Sequence, residues 1–313
     1  MSRRKKLQIK YLFIYIIVVL TFIIIVPFLS LKLFPDLTES PPNPTESYIK
    51  IPSTVDVYIT EKKRFETIDF ETYITGVVAS EMPSDFDFEA LKAQAVASRT
   101  YGLGRILSGA ELCDTVHCQV YRSDNIPPKV ARAVKKTKGQ VLLFDEKLAS
   151  QALYFSSSAG DTENAEDVFS NPYPYLVSVS SDDEPGATHK KEVCTLSIKE
   201  FSRKIKDSLP ELSFGTIKKS NIKILSHTAG GRVETIKVGS QILSGADIRK
   251  ALNLYSTRFT IKIKGKIITI TSSGSGHGVG MSQYGANGLA KKGKSYKQIL
   301  SHYYRGTTIS PGQ

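Results

Sequence analysis

The chain has 313 residues, of which 41% are apolar, enough to bury a substantial core in one large domain or two small ones and too much for a disordered polymer. Its 42 Lys and Arg against 30 Asp and Glu leave a formal charge of +12, which suits a polyanionic partner: nucleic acid, anionic lipid or an anionic cell wall. Three cysteines, an odd number, argue against a full disulfide framework.

Residues 1–10 form a basic tail with Arg3, Arg4, Lys5, Lys6 and Lys10, and 11–31 are apolar apart from Thr21, Pro27 and Ser30. About 20 apolar residues span a bilayer, and the basic flank predicts a cytoplasmic N-terminus with everything after the anchor outside. A cleaved signal peptide has a shorter apolar core and a small-residue cleavage site, which Leu29-Ser30-Leu31 supplies poorly, so a retained single-pass anchor is expected. Residues 32–50 read as a linker, with four prolines in PDLTESPPNPTES at 35–47. A domain tethered outside the cell membrane is no partner for nucleic acid.

The globular domain is expected over 51–313, opening on a strand in which Val55, Val57 and Ile59 alternate. Next, Tyr73, Val77 and Glu81, and likewise Ile74, Val78 and Met82, recur at i, i+4, i+8, the pattern of a short amphipathic helix that Pro83 stops. Asp87 is the expected N-cap of a second helix, with Ala90, Ala93, Ala97, Tyr101 and Gly104 on a small-residue face and Lys92, Val96 and Arg99 on another. Glu81 thus sits at a helix C-terminus between Val78 and Met82, where the dipole and desolvation both favour its protonated form. It is either a general acid or a glutamate facing solvent at a helix end.

In ELCDTVHCQVY at 111–121, Cys113, His117 and Cys118 could hold a metal, form a small-loop disulfide or be buried structural residues. No fourth ligand is adjacent. A helix is expected over 127–139, then paired strands at 141–144 and 149–155 across a polar turn at 145–147. The second strand runs into SSSAGDTE, whose Ser157 and Ser158 could line a sugar cleft or belong to a plain turn. Residues 182–191 read as a charged loop. Capping boxes are expected at Ser197 and Ser244, with a strand at 232–238 between them and a hairpin at 259–271 after them. In SSGSGHGVGMSQYGANG the dense glycine permits close backbone approach to a ligand, and His277, Gln283 and Tyr284 could grip a sugar; His277 could equally be satisfied by a carbonyl. The phosphate-loop pattern at 288–295 lacks a preceding buried strand, and Ser295 with Gln298 reads better as a capping box. Helices, hairpins and the lack of a βαβ rhythm predict an α+β fold.

The runs SEMPSDFDFEALKAQAVASRTY (80–101), CDTVHCQVY (113–121), YFSSSAGDTENAEDVF (154–169) and GHGVGMSQYGANGLAKKGKSYKQILSHYY (276–304) together resemble the SpoIID/LytB family. The resemblance implies a peptidoglycan lytic transglycosylase of the sporulating cell, acting in engulfment, with Glu81 as the catalytic glutamate and no required cofactor. It implies Lys92, Arg99 and Tyr101 as residues that order the site, and His277 and Gln283 as residues that grip peptide-free glycan strands. It also implies an amidase partner of the stage II sporulation protein P type and a membrane engulfment complex. Some members carry a metal at the cysteine segment with a further histidine before it; Ile106, Leu107 and Ser108 stand there in this chain, so a structural zinc is implied with part of its pattern missing. The LytB branch implies another role, a non-enzymatic wall binder that enhances an N-acetylmuramoyl-L-alanine amidase.

Overall fold

A computed structural model describes residues 49–311. The expected tail at 1–10, the anchor at 11–31 and nearly all of the linker at 32–50 lie outside the described residues. Among the described residues no helix is long and apolar enough to cross a membrane.

Strands β1 (Thr54–Ile59) and β2 (Arg64–Asp69) pair as an antiparallel hairpin. Asp69 ends β2 and accepts the Thr72 N–H at 2.8 Å, so the strand turns directly into helix α1 (Phe70–Glu81). Met82 is extended, as the residue before a proline should be, and α1 stops at Glu81. Helix α2 (Phe88–Leu107) begins on the Asp87 cap, as the sequence predicts. Residues Ala90 to Gly104 of α2, Lys92 and Tyr101 apart, are buried on every side, because α1, α3 (Pro128–Lys136), α7 (Gln283–Lys291) and α8 (Tyr296–Tyr303) pack around it. Its small face works as expected: a side chain at Gly104 would strike the Ser150 backbone.

The short strand β3 (Leu112–Cys113) lies parallel to β1, with Val57 opposite Leu112. Strands β4 (Leu142–Phe144) and β5 (Lys147–Leu148) form a hairpin tighter than the expected one, because Asp145 and Glu146 both take positive φ, 47° and 61°. Consequently the 149–155 segment reaches β4 only through Ala149, which donates its N–H to the Leu142 carbonyl at 2.9 Å. Its end, β6 (Tyr154–Phe155), lies parallel to β13 (Met281–Ser282) instead, and β14 (Thr308–Ile309) completes the β4 sheet.

Helix α4 (Ala165–Phe169) follows, and then a segment with its own core. It runs β7 (Glu192–Ser197), α5 (Ile198–Ser208), β8 (Ile222–His227), β9 (Val233–Val238), β10 (Gln241–Ser244), α6 (Gly245–Leu252), β11 (Phe259–Lys264) and β12 (Ile267–Ser272). Two antiparallel sheets, ordered β10-β9-β8 and β11-β12-β7, share with α5 and α6 a cluster built on Phe201, Ile205, Ile236, Ile248, Phe259 and Ile268. The Ser244 and Ser295 capping boxes both form. The architecture is α+β, and residues from Lys50 onward make one compact unit.

Candidate active site

Glu81 is the last residue of α1, so its carboxylate meets the negative end of the helix dipole. Its Oε1 accepts the Val120 N–H at 2.8 Å. Burial pushes its pKa up, while the Val120 N–H and the Gln283 side chain pull the other way; the net shift is upward. The approach of Val120 depends on Gly76, one turn earlier on the helix, where a Cβ would collide with the Arg122 carbonyl and the Tyr121 ring. Arg122 donates to the Ala79 carbonyl and Tyr121 packs 5.4 Å from Tyr73, which lays the 119–122 segment along α1.

A polar cluster surrounds the carboxyl. The Tyr154 hydroxyl donates to Gln119 Oε1 at 2.9 Å, and Gln119 Nε2 reaches the Tyr73 hydroxyl at 3.5 Å. Tyr154 also hydrogen-bonds Ser98, and the Glu81 charge adds to burial in holding its phenol well above the ordinary tyrosine value. On α2, Gln94 Nε2 donates to Ser98 Oγ at 3.0 Å and leaves its own Oε1 buried without a partner. The Gln283 amide, first residue of α7, reaches Glu81, and its Nε2 finds no other partner. The β6–β13 pairing sets Met281 opposite Tyr154 and so delivers Gln283 to this cluster. A half-buried acid thus shares a polar cluster with a buried acceptor, Gln94 Oε1, that the protein itself leaves without a partner, the kind of group that fixes a polar ligand.

Several residues expected to bind substrate make polar contacts within the fold. Arg99 has no exposed surface: its guanidinium takes both Glu71 carboxylate oxygens, at 2.8 and 2.7 Å, and the Gln140 carbonyl at 3.1 Å. Lys92 pairs with Glu89 at 2.5 Å over the Tyr296 ring, while Glu89 accepts the Tyr296 N–H and so holds the start of α8. Tyr101, half-buried, bonds Arg105. Ser157 and Ser275 exchange backbone hydrogen bonds at 3.0 and 2.8 Å, and Ser158 Oγ donates to the Asp161 carbonyl. His277 Nδ1 accepts the Val279 N–H at 3.1 Å, which leaves the proton on Nε2 to donate to the Tyr154 carbonyl at 3.1 Å. Burial and the Arg232 charge lower its pKa to about 4, so the ring is neutral and positions Tyr154. Tyr284, half-buried, lies edge-on to Phe86 at 4.9 Å, beside the proline corner that follows Glu81.

Sequence reasoning passed over Gln94, Ser98, Gln119, Val120, Tyr154 and Glu184. Gln94 and Ser98, spaced i, i+4 among alanines, are a readable signal of a buried polar pair. Glu184 falls in the segment read as a charged loop, yet it is buried: its carboxylate accepts the Ser158 and Ala159 N–H groups at 2.6 and 2.9 Å and the Ser282 hydroxyl, which ties the serine loop to the start of α7.

Cys113, His117 and Cys118 come together with their donor atoms within 4.8 Å of one another. The thiols lie 3.9 and 3.7 Å from His117 Nδ1, separations that suit a shared tetrahedral zinc, whereas the two sulfurs at 2.7 Å would have to part by about 1 Å. Hydrogen bonds from Cys118 and Thr115 lower Cys113 to about 7 against its burial, while burial and the Cys113 thiolate raise Cys118 to about 11. All three cysteines are free. Donor type and grouping fit a zinc ion with one position left for a ligand from outside the trio.

The family model described as SpoIID, stage II sporulation protein, matches residues 58–144. Stage II sporulation protein D of Bacillus subtilis (strain 168) is 39% identical over 279 residues, which cover 83% of this chain and 79% of that protein. The chain belongs to the SpoIID family. A second member, stage II sporulation protein D of Bacillus amyloliquefaciens, is 40% identical over 281 residues, with 83% and 79% covered. The amidase enhancer of Bacillus subtilis (strain 168) is 31% identical over 285 residues, which are 76% of this SpoIID chain and 40% of that protein. The family model spans Glu81, Gln94, Ser98 and the 113–121 segment, so one wall of the cluster is family sequence.

Proposed function

We propose that this chain is a peptidoglycan lytic transglycosylase that cleaves MurNAc–GlcNAc glycan strands during sporulation, with Glu81 as its acid and base. The observation that carries the reading is a single carboxyl group, half-buried at a helix end, whose pKa is raised and on which no other carboxylate acts among the groups that move it. Two-carboxylate glycosidases need a partner at roughly 5–9.5 Å. Of the acids that follow it in the chain, Asp87 caps α2, Glu89 holds Lys92 and α8, and Asp85 is exposed beyond Pro83.

Protonated Glu81 gives its proton to the oxygen leaving the N-acetylmuramic acid anomeric carbon, and the C–O bond breaks. The Val120 N–H and the Gln283 amide hold the carboxylate that results. That carboxylate takes the proton of the same sugar's 6-hydroxyl as its oxygen attacks the anomeric carbon, which closes a 1,6-anhydro ring without water. In this reading the free Gln94 Oε1 receives a donor from the glycan, and Tyr284 flanks the strand.

Cys113, His117 and Cys118 would hold a zinc ion, and such an ion supplies a cross-link in the loop that presents Gln119 and Val120. The chain sits in the cell membrane by one span at 11–31 with the catalytic domain outside, and works on peptide-free strands beside an amidase in a membrane engulfment complex. The 31% identity to an amidase enhancer favours a second role, a wall binder that stimulates an amidase.

Mass spectrometry of products from peptide-free glycan strands tests the reading. The parent protein is expected to release anhydro-ended fragments, and Glu81→Gln to lose about 10²–10⁴-fold in rate. Reducing ends in place of anhydro ends would make it a hydrolase. Undiminished wall degradation by Glu81→Gln with an amidase present would favour the enhancer.

A further inference from the structure

We propose that a basic groove beside α5, outside the Glu81 cluster, binds a phosphodiester-linked polyol chain. The groove, of about 820 Å³, runs between α5 and the 215–219 segment, with the β11–β12 turn at one end. Lys199, Arg203 and Lys206 stand at i, i+4, i+7 on the exposed stripe of α5, whose opposite stripe buries Phe201 and Ile205. Lys218 and Lys219 face them, and Lys266 closes the turn. Asp207 is the one acid lining the groove, and it is spent on Arg203 at 2.9 Å. Among the described residues, none of the five lysines has an ion pair.

Gathered ammonium groups repel one another and favour a ligand that carries repeated negative charge. Ile198 and Ile217 lie among the cations, so the lining alternates charge with hydrocarbon, the alternation of phosphates separated by polyol carbons. No aromatic residue lines the groove, so there is no platform on which a nucleobase could stack. A concave channel also fits a single strand better than a bilayer surface. The groove's ligand chemistry is thus fixed separately from Glu81, and the proposal stands whether or not the transglycosylase reading holds.

The full chain is titrated with end-labelled poly(glycerol phosphate) by fluorescence anisotropy at several salt concentrations. Beside it are run Lys199→Gln/Lys218→Gln/Lys219→Gln and a control of equal charge, Lys291→Gln/Lys294→Gln/Lys297→Gln. All six lysines are exposed, so their replacement is expected to be tolerated, and thermal melts of each variant report that the fold is kept. The groove variant is expected to bind about tenfold more weakly or worse, with a salt slope reduced by roughly two to three for three lost phosphate contacts. The control is expected to stay within about threefold of the parent. Equal weakening in both variants, no binding by the parent, or tighter binding of an equally charged single-stranded oligonucleotide or of anionic vesicles would overturn the proposal.

Discussion

At Glu81 the fold holds a carboxyl away from water and at the wrong end of a helix dipole, which costs stability whenever that group is ionised. Below its ordinary value of 4.5 the carboxyl is protonated in both states and the cost vanishes. As pH rises through the folded value, the unfolded chain ionises first and stability falls, then levels off. Glu81→Gln is therefore expected to melt higher than the parent at pH 7 and no higher at pH 4, by calorimetry at both; an equal or lower melting point at pH 7 would remove the strain from the account. Arg99 is the reverse case, a buried cation fully matched by Glu71. Arg99→Ala strands that carboxylate and is expected to cost about 3–5 kcal/mol, while Arg99→Lys loses the two-pronged geometry and keeps the glycan KM. A raised KM with unchanged denaturation midpoint in Arg99→Lys would return this residue to the substrate. Glu81 was legible because a helix pattern and a proline fix its place locally. Arg99 was not, because Glu71 lies 28 residues away; for His277 a carbonyl partner was one of the two readings, but which carbonyl was hidden, since Tyr154 lies 123 residues away.

Among the elements, those defined by their own residues were readable: the α1 stop at Pro83, the Asp87 cap, the capping boxes at Ser244 and Ser295, and the β11–β12 hairpin. The β6–β13 pairing was not, since a two-residue parallel bridge leaves no alternation to detect and its two strands come from before and after the β7–β12 segment. The 119–122 segment was hidden for a similar reason, because it has no regular structure and takes its shape from α1. Gly76 is its point of support. Alanine in a helix is ordinarily favoured over glycine by about 1 kcal/mol, but at this position it pushes against the Arg122 carbonyl and the Tyr121 ring. Gly76→Ala is expected to lose about 1–3 kcal/mol in chemical denaturation and, by moving the Val120 N–H, to lower glycan-cleavage kcat more than KM. A more stable and fully active Gly76→Ala protein would show that the segment can give way.

For the molecule as a whole, the α+β class and the basic charge were legible, but the second core was not visible as a separate body, because its strands and helices have the same composition as the rest. It is joined to the other core by a buried pair: Arg232, at the start of β9, lies 3.5 Å from Glu163 and donates to the Gly276 carbonyl at 3.1 Å. Gly278, with φ of 93°, leaves the space that the Arg232 guanidinium fills. Breaking that pair at one partner only, as in Arg232→Met, is expected to destabilise by about 3–5 kcal/mol, whereas Arg232→Met with Glu163→Leu recovers much of the loss in chemical denaturation. No recovery in the double variant would mean that the pair does more than join the two cores.

The strand that opens the second core and the strand that closes it end side by side, Glu192 opposite Ser272. A segment of chain whose entrance and exit touch is a cassette: it can lengthen, shrink or be exchanged in descent without moving Phe155 away from Ser282, and the Glu81 cluster can be inherited while the cassette takes on a new cargo.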